Sequence, residues 1–279
     1  MIALKNLFLT IIKRIKYHII EPNYDAYNNE ILCVLGNGPS LQDDMENLLV
    51  HSEKWDFFCV NQFSTFAEYR LLKPKNYVFL DNYYWDENLN EDLILKRDKA
   101  INKIIEDTSW PMSLWVPHEV KKKFLTMFQK NSNIKVLGYF MNSNFFRSKK
   151  INTLLLKYKI FAPAAAGVVH YAIWIGMNVG YKQIKIFGID NDPFRSFDTY
   201  QETNVVYTGA SYFRSENKEK PKIQKTYKTM SQRLNQVALG FSIFELLNEY
   251  SIIKDIKLTN CSSYSLVDSI DREKIELND

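Results

Sequence analysis

The sequence predicts an α/β chain built on a doubly wound, mostly parallel, Rossmann-like sheet. Three observations lead there. Short all-apolar runs, of a length suited to strands covered on both faces, recur along the chain. Segments of helical periodicity separate them, so the order is strand, helix, strand, helix. The runs end abruptly on small or polar residues, which is where such sheets bind their ligands.

The elements follow in order. Residues 4–20 read LKNLFLTIIKRIKYHII, with Leu4, Leu7, Phe8, Ile11, Ile12, Ile15 and Ile19 at helical spacing among Lys5, Lys13, Arg14 and Lys16. Two readings stand: a helix packed on its own domain or a partner chain, and an interfacial helix lying on an anionic membrane. The basic residues follow the apolar ones and no A-x-A site appears, which argues against a signal peptide. Glu21-Pro22-Asn23 stops the pattern. Residues 1–22 are therefore set apart as an amphipathic segment, 23–30 as a linker and 31–279 as the main domain.

Ile31–Leu35 is the first buried strand, and Ser40 with Asp43 three positions on predicts a capped helix start. Asp56–Val60 is the second strand and Tyr77–Leu80 the third. A charged helix over 89–106 comes next. Leu114–Val116 and Ile134–Leu137 are further strands, with a helix over about 118–130 between them. Residues 164–179 predict a very apolar helix, Gln183–Phe187 a strand, 222–249 a long helix, Ile256–Leu258 a last strand, and a short helix closes the chain. The stretch 191–221 is polar, aromatic and aperiodic. A segment of this length without periodicity reads as a lid.

Composition narrows the class. The 36 basic and 32 acidic residues leave a net charge of +4, too balanced to indicate nucleic acid. Cys33, Cys59 and Cys261 form no CxxC pair, and the histidines are scattered, so neither a disulfide framework nor a zinc site is predicted. No apolar run is long enough to cross a bilayer. The expected compartment is the cytoplasm, with peripheral placement on the inner membrane under the second reading of residues 4–20.

The residues that carry chemistry follow strands. Gly36-Asn37-Gly38-Pro39-Ser40 succeeds the first strand; its glycines suit a tight turn, and the amides of a helix start favour a phosphate. An ordinary strand-to-helix turn is the competing reading. Asn61-Gln62 ends the second strand and Asp81-Asn82 the third. In a parallel sheet these ends share one crevice, rich in amides and suited to sugar and nucleoside hydroxyls. Asp190-Asn191-Asp192 is a literal DxD, which holds a divalent ion on a diphosphate or merely caps a strand end. Within the lid, Arg195, Tyr200, Tyr207, Tyr212 and Arg214 are donors suited to a leaving phosphate.

GNGPSL at 36–41, VNQF at 60–63, VFLDN at 78–82, GYKQIKIFGID at 180–190 and TNCSSYSLVDSI at 259–270 resemble the small bacterial lipooligosaccharide sialyltransferases, which use CMP-sialic acid. More loosely they resemble a wider group with motility accessory factors and hydroxymethylpterin-diphosphokinase-like proteins. The resemblance spans roughly residues 31–270, with gaps. It implies a Rossmann-like domain with a lid, often homo-oligomeric. It implies nucleotide contacts at Asn37, Asn61 and Asp81 or Asn82, and places the family's catalytic Ser-Gly at Ala166-Gly167. The lid's HYxGHS matches Val206-Tyr207-Thr208-Gly209-Ala210-Ser211, so Ala210 stands where the family has its general base and no histidine follows His170.

The function expected is transfer of a sugar from a nucleotide-sugar, CMP-linked by preference, to a bacterial surface glycan. Tyr207 and Arg195 would serve the leaving group and Asp190, Asp192 or Asp198 the acceptor, with no resident metal. Two alternatives are kept. One is Mg²⁺-dependent diphosphate transfer to a pterin-like alcohol, with Asp81, Asp190 and Asp192 on the ion. The other is a non-catalytic relative in a polysaccharide assembly complex.

Overall fold

The computed structural model describes residues 12, 19–21, 30–142, 145–194, 197–199, 206–208 and 229–275. Its strands are β1 (Ile31–Leu35), β2 (Asp56–Val60), β3 (Asn76–Val78), β4 (Met112–Pro117), β5 (Ile134–Tyr139), β6 (Gln183–Phe187), β7 (Phe197–Thr199), β8 (Val206–Thr208) and β9 (Lys257–Asn260). Its α-helices are α1 (Leu41–Val50), α2 (Glu68–Leu72), α3 (Glu91–Asp107), α4 (Lys121–Phe128), α5 (Lys149–Lys157), α6 (Val168–Val179) and α7 (Met230–Ile253).

Seven strands form one sheet in the order β5-β4-β3-β2-β1-β6-β9, and every pair is parallel. The chain starts in the interior at β1 and winds outward through β2, β3, β4 and β5. It then crosses back to β6 on the other side of β1. Right-handed crossovers in two opposite directions put helices on both faces. The alternation of a strand's side chains divides the core accordingly. Leu32 and Val34 pack with α6 and α7, whereas Cys33 and Leu35 face α1 and its neighbours. The strands are near-continuous apolar runs because neither face meets water.

Several sequence expectations are corrected. Ser40 does not cap α1: its backbone is helical and its side chain makes no capping bond. The long helix starts at Met230, behind a true capping box in which Thr229 and Gln232 exchange side-chain bonds. The closing helix does not form. Residues 261–275 run irregularly along the carboxyl edge, where Arg272 bridges to Asn260. Helices α2 and α5 were not predicted, nor was the antiparallel β7–β8 pair within the lid segment.

Ile20 pairs antiparallel with Tyr139 at the end of β5, with Phe140 donating to Ile19 and Glu21 to Gly138. Most of the amphipathic segment, of the linker and of the lid lies outside the described residues. Among the described residues no helix is long and apolar enough to cross a membrane.

Candidate functional site

The sheet reverses its winding between β1 and β6, and a crevice opens there at the strands' carboxyl ends, as this topology requires. A cavity of about 500 Å³ occupies it. Its walls are the turn after β1, the turn after β6, the start of α6 and the first half of α7.

The two turns interlock. Gly36 donates to the Phe187 carbonyl at 2.8 Å and Gly38 to the Gly188 carbonyl at 2.9 Å. A Cβ on Gly36 would lie 2.3 Å from the Gly188 oxygen, and one on Gly38 would lie 2.2 Å from Asp190 Oδ1. Gly188 has φ +61°, a conformation that glycine tolerates best. These glycines therefore serve the contact of two loops rather than the approach of a ligand.

Nor is the amino end of α1 open to a phosphate. Asp190 holds it: Ser40 Oγ donates to Oδ1 at 2.5 Å and the Ser40 amide to Oδ2 at 3.1 Å. The amides of Leu41, Gln42 and Asp43 are taken by backbone carbonyls. Pro39 has no amide to give. An internal carboxylate thus sits where the sequence suggested an anion from outside.

The second carboxylate of the DxD is turned to another partner, the Tyr264 hydroxyl, at 2.6 Å. Asp81 lies at the end of β3, three strand spacings or about 14 Å from β6. The three aspartates that a diphosphate mechanism would gather on one ion are therefore dispersed. Among the described residues no group of three histidine, cysteine or acidic side chains is placed to hold a metal.

The amide-bearing strand ends do share one edge. Asn37 Nδ2 donates to the Val60 carbonyl at 3.2 Å, and Asn61 Nδ2 to Asp81 Oδ2 at 2.7 Å. Asn61 adopts a left-handed backbone, φ +49°, and its carbonyl receives the Tyr77 hydroxyl. Asp81 is exposed, yet the protein packed around its carboxyl shifts the pKa upward, and the Asn61 bond only partly offsets this. Gln62 is bound to the hydroxyls of Tyr83 and Tyr84, and Asn82 is exposed on the 82–84 turn. Tyr207 stands in β8 opposite Asp198, and Arg195 lies outside the described residues.

The cavity's own polar groups are mostly ones the sequence did not single out. Three side chains present a buried atom without a hydrogen-bond partner: Asn37 Oδ1, Asn191 Nδ2 and Arg233 Nε. His170 is 4 % exposed and packs edge-on to Phe244, with the Gly240 and Gly167 carbonyls its nearest polar neighbours. Burial lowers its pKa to about 4, so the ring is neutral at physiological pH. Gly167 lies where α6 begins, and no side chain caps that helix. First-turn amides of a helix have no intrahelical partner, and these belong to Val168, Val169 and His170 on the cavity wall. Buried polar atoms in native proteins are nearly always paired, so this concentration makes the cavity the candidate site.

No family model and no curated protein matches the chain. Among solved structures it is similar to the MAf glycosyltransferase from Magnetospirillum magneticum AMB-1, with a TM-score of 0.50 and 13 % sequence identity. The match covers 98 % of this chain and 39 % of that one, so the chain spans well under half the length of its structural neighbour. The likeness is one of fold.

Sequence reasoning missed Arg233 and His170 as site residues. A basic residue one turn into a helix is usually solvated. A histidine flanked by Val169 and Tyr171 reads as core. The serines of the TNCSSYSLVDSI run, two readings of which are a nucleotide contact and a helix cap, turn out to do neither. Instead they brace the turn after β6: Ser262 Oγ accepts from Ile189 N, Ser265 Oγ donates to its carbonyl, and Ser263 Oγ donates to the Ser40 carbonyl.

Proposed function

We propose that the crevice is the donor site of a glycosyltransferase that takes a nucleotide-sugar, CMP-linked by preference, and serves a bacterial surface glycan. The carrying observation is the set of unpartnered polar atoms on Asn37, Asn191 and Arg233, with the neutral His170 ring beside them, around one cavity at the sheet's winding reversal. The motif resemblance and the glycosyltransferase fold of the structural neighbour support the same reading.

In this reading the donor's anionic group meets the open amides of α6 and the Arg233 guanidinium, rather than α1 or the DxD. Backbone amides and arginine suit an oxyanion because both donate along fixed directions and need no reorganisation. Tyr207 and Arg195 of the lid complete the leaving-group side. Asp190 and Asp192 are committed to Ser40 and Tyr264. Acceptor activation is therefore assigned to Asp81, whose raised pKa makes it a stronger base than an ordinary carboxylate.

Calorimetric titration with CMP, UDP, GDP and ATP, each with and without Mg²⁺, tests the proposal. CMP binding that needs no metal and is lost in Arg233→Ala is expected. Binding confined to Mg²⁺-loaded diphosphates, or no nucleotide binding at all, would overturn it.

A further inference from the structure

A second surface lies away from the crevice, where α5 and α7 end. Lys149 of α5 pairs with Glu245 and Glu249 of α7 at 3.3 and 2.8 Å, and Thr153 donates to Glu249 at 2.9 Å. Ten residues beyond Lys149, Lys159 comes near Lys254. The helices thus run side by side in the same sense, and their carboxyl-terminal ends adjoin.

Apolar side chains are laid open there. Ile252 is 72 % exposed and Tyr158 is 64 % exposed, and Leu154, Ile160 and Ile253 are exposed beside them. Ile151, Leu154 and Tyr158 fall at i, i+3 and i+7 of one α5 stripe, so they share a face. Lysines accompany this patch: Lys157 Nζ lies 5.8 Å from the centre of the Tyr158 ring, and Lys159 and Lys182 lie near Lys254, which follows Ile252 and Ile253. Lys159 and Lys182 lie near enough to Lys254 to help lower its pKa, after burial. Asp255 and Glu30, whose carbonyl accepts from Lys182 N, are acids at this end, fewer than the lysines, while Glu245 and Glu249 are tied to Lys149.

We propose that this end of the α5–α7 layer docks on an anionic lipid surface. Charge complementarity selects the occupant. A second copy presenting the same patch would set lysines against lysines, and like charges across an interface are unfavourable. An acidic lipid surface reverses that sign, and its acyl boundary receives the isoleucines and Tyr158. Lysine stems lie along apolar surface while their ammonium groups reach the headgroups. The surface shares no lining residue with the crevice, so it stands independently of the donor-site reading.

Full-length protein is mixed with vesicles of phosphatidylcholine alone or of equal phosphatidylcholine and phosphatidylglycerol, then sedimented. Binding to the anionic vesicles only, weakened by salt, is expected. Each lysine near such a surface is worth about fivefold in partitioning, so Lys157→Gln with Lys159→Gln should weaken binding about 25-fold. These positions are exposed, and circular dichroism checks that the variant folds. All three native cysteines are buried. A polarity-sensitive dye on Ile252→Cys therefore reads this patch alone, and its emission should shift to the blue on anionic vesicles.

Equal binding to neutral vesicles would overturn the proposal, as would full-strength binding by the double variant or a silent dye. Loss of binding on Lys5→Glu with Lys13→Glu, while the patch variant still binds, would assign the contact to the amino-terminal segment instead. Failure to sediment with either vesicle would leave a protein partner as the occupant and refute the lipid assignment.

Discussion

Replacing Asp190 by alanine separates an internal strut from a metal ligand. Its carboxylate accepts two bonds from Ser40, at 2.5 and 3.1 Å, and lies at the amino end of α1. A hydrogen bond to a charged group contributes about 1.5–3 kcal/mol. A carboxylate at a helix start adds roughly 0.3–1 kcal/mol. Ser40 is only 4 % exposed, so its hydroxyl would be left unpaired with little water to replace the lost partner. Because these contributions overlap, the expected loss is about 3 kcal/mol rather than their sum. Urea denaturation followed by far-UV circular dichroism measures it, with and without millimolar Mg²⁺. A double-mutant cycle with Ser40→Ala should return a coupling above about 1 kcal/mol. A loss below about 0.5 kcal/mol, or one that appears only when Mg²⁺ is present, would refute the strut and return Asp190 to the role of ion ligand.

Three further outcomes are expected. Arg233→Ala should weaken CMP binding about 10- to 100-fold, the cost of one charge-assisted contact to phosphate, while leaving the urea midpoint unchanged; calorimetry beside denaturation reads both. Gly188→Ala should cost about 2–4 kcal/mol, since its Cβ would meet Leu41 Cβ at 2.7 Å in a left-handed conformation, and a thermal melt at wild-type temperature would contradict this. Asp44 has its pKa raised to about 6, mainly by burial and against the bonds from Ser263. The folded state then holds its proton more tightly than the unfolded state. Stability from this group is fully present below about pH 4 and is lost as pH rises through 6. Allowing for solvent screening, Asp44→Asn should gain about 1–2 kcal/mol on wild type at pH 7 and nothing at pH 4; parallel melts at the two pH values check the sign.

The framework was legible because it rests on local pattern. Ile31–Leu35, Asp56–Val60 and Gln183–Phe187 are apolar runs that the structure reproduces residue for residue as strands. Their carboxyl ends share an edge because parallel winding leaves them no alternative. What escaped was set by contacts far apart in sequence. Ser40 was predicted as a cap, yet its hydroxyl is claimed by Asp190, 150 residues away. The phosphate reading of GNGPS failed for the same reason, since spacing shows that amides converge but not what already fills them. Helix α5 went unseen because its 9 residues are fewer than the stretch over which helical periodicity can be read. Arg233 could have been found only by asking why a long helix whose far half is buried begins with a charge facing inward.

The chain's termini do more than begin and end the fold. The strand pair made by Ile20 with Tyr139 closes the carboxyl end of β5, and the run back from Arg272 to Asn260 closes that of β9. What stays open on each flank is short and carries a lysine, Lys135 on one and Lys257 on the other. Bare flanks of a sheet recruit strands from other molecules, and short, charged ones do so poorly. Among the described residues, the flanks of the seven-stranded sheet are therefore poor templates for joining copies edge to edge.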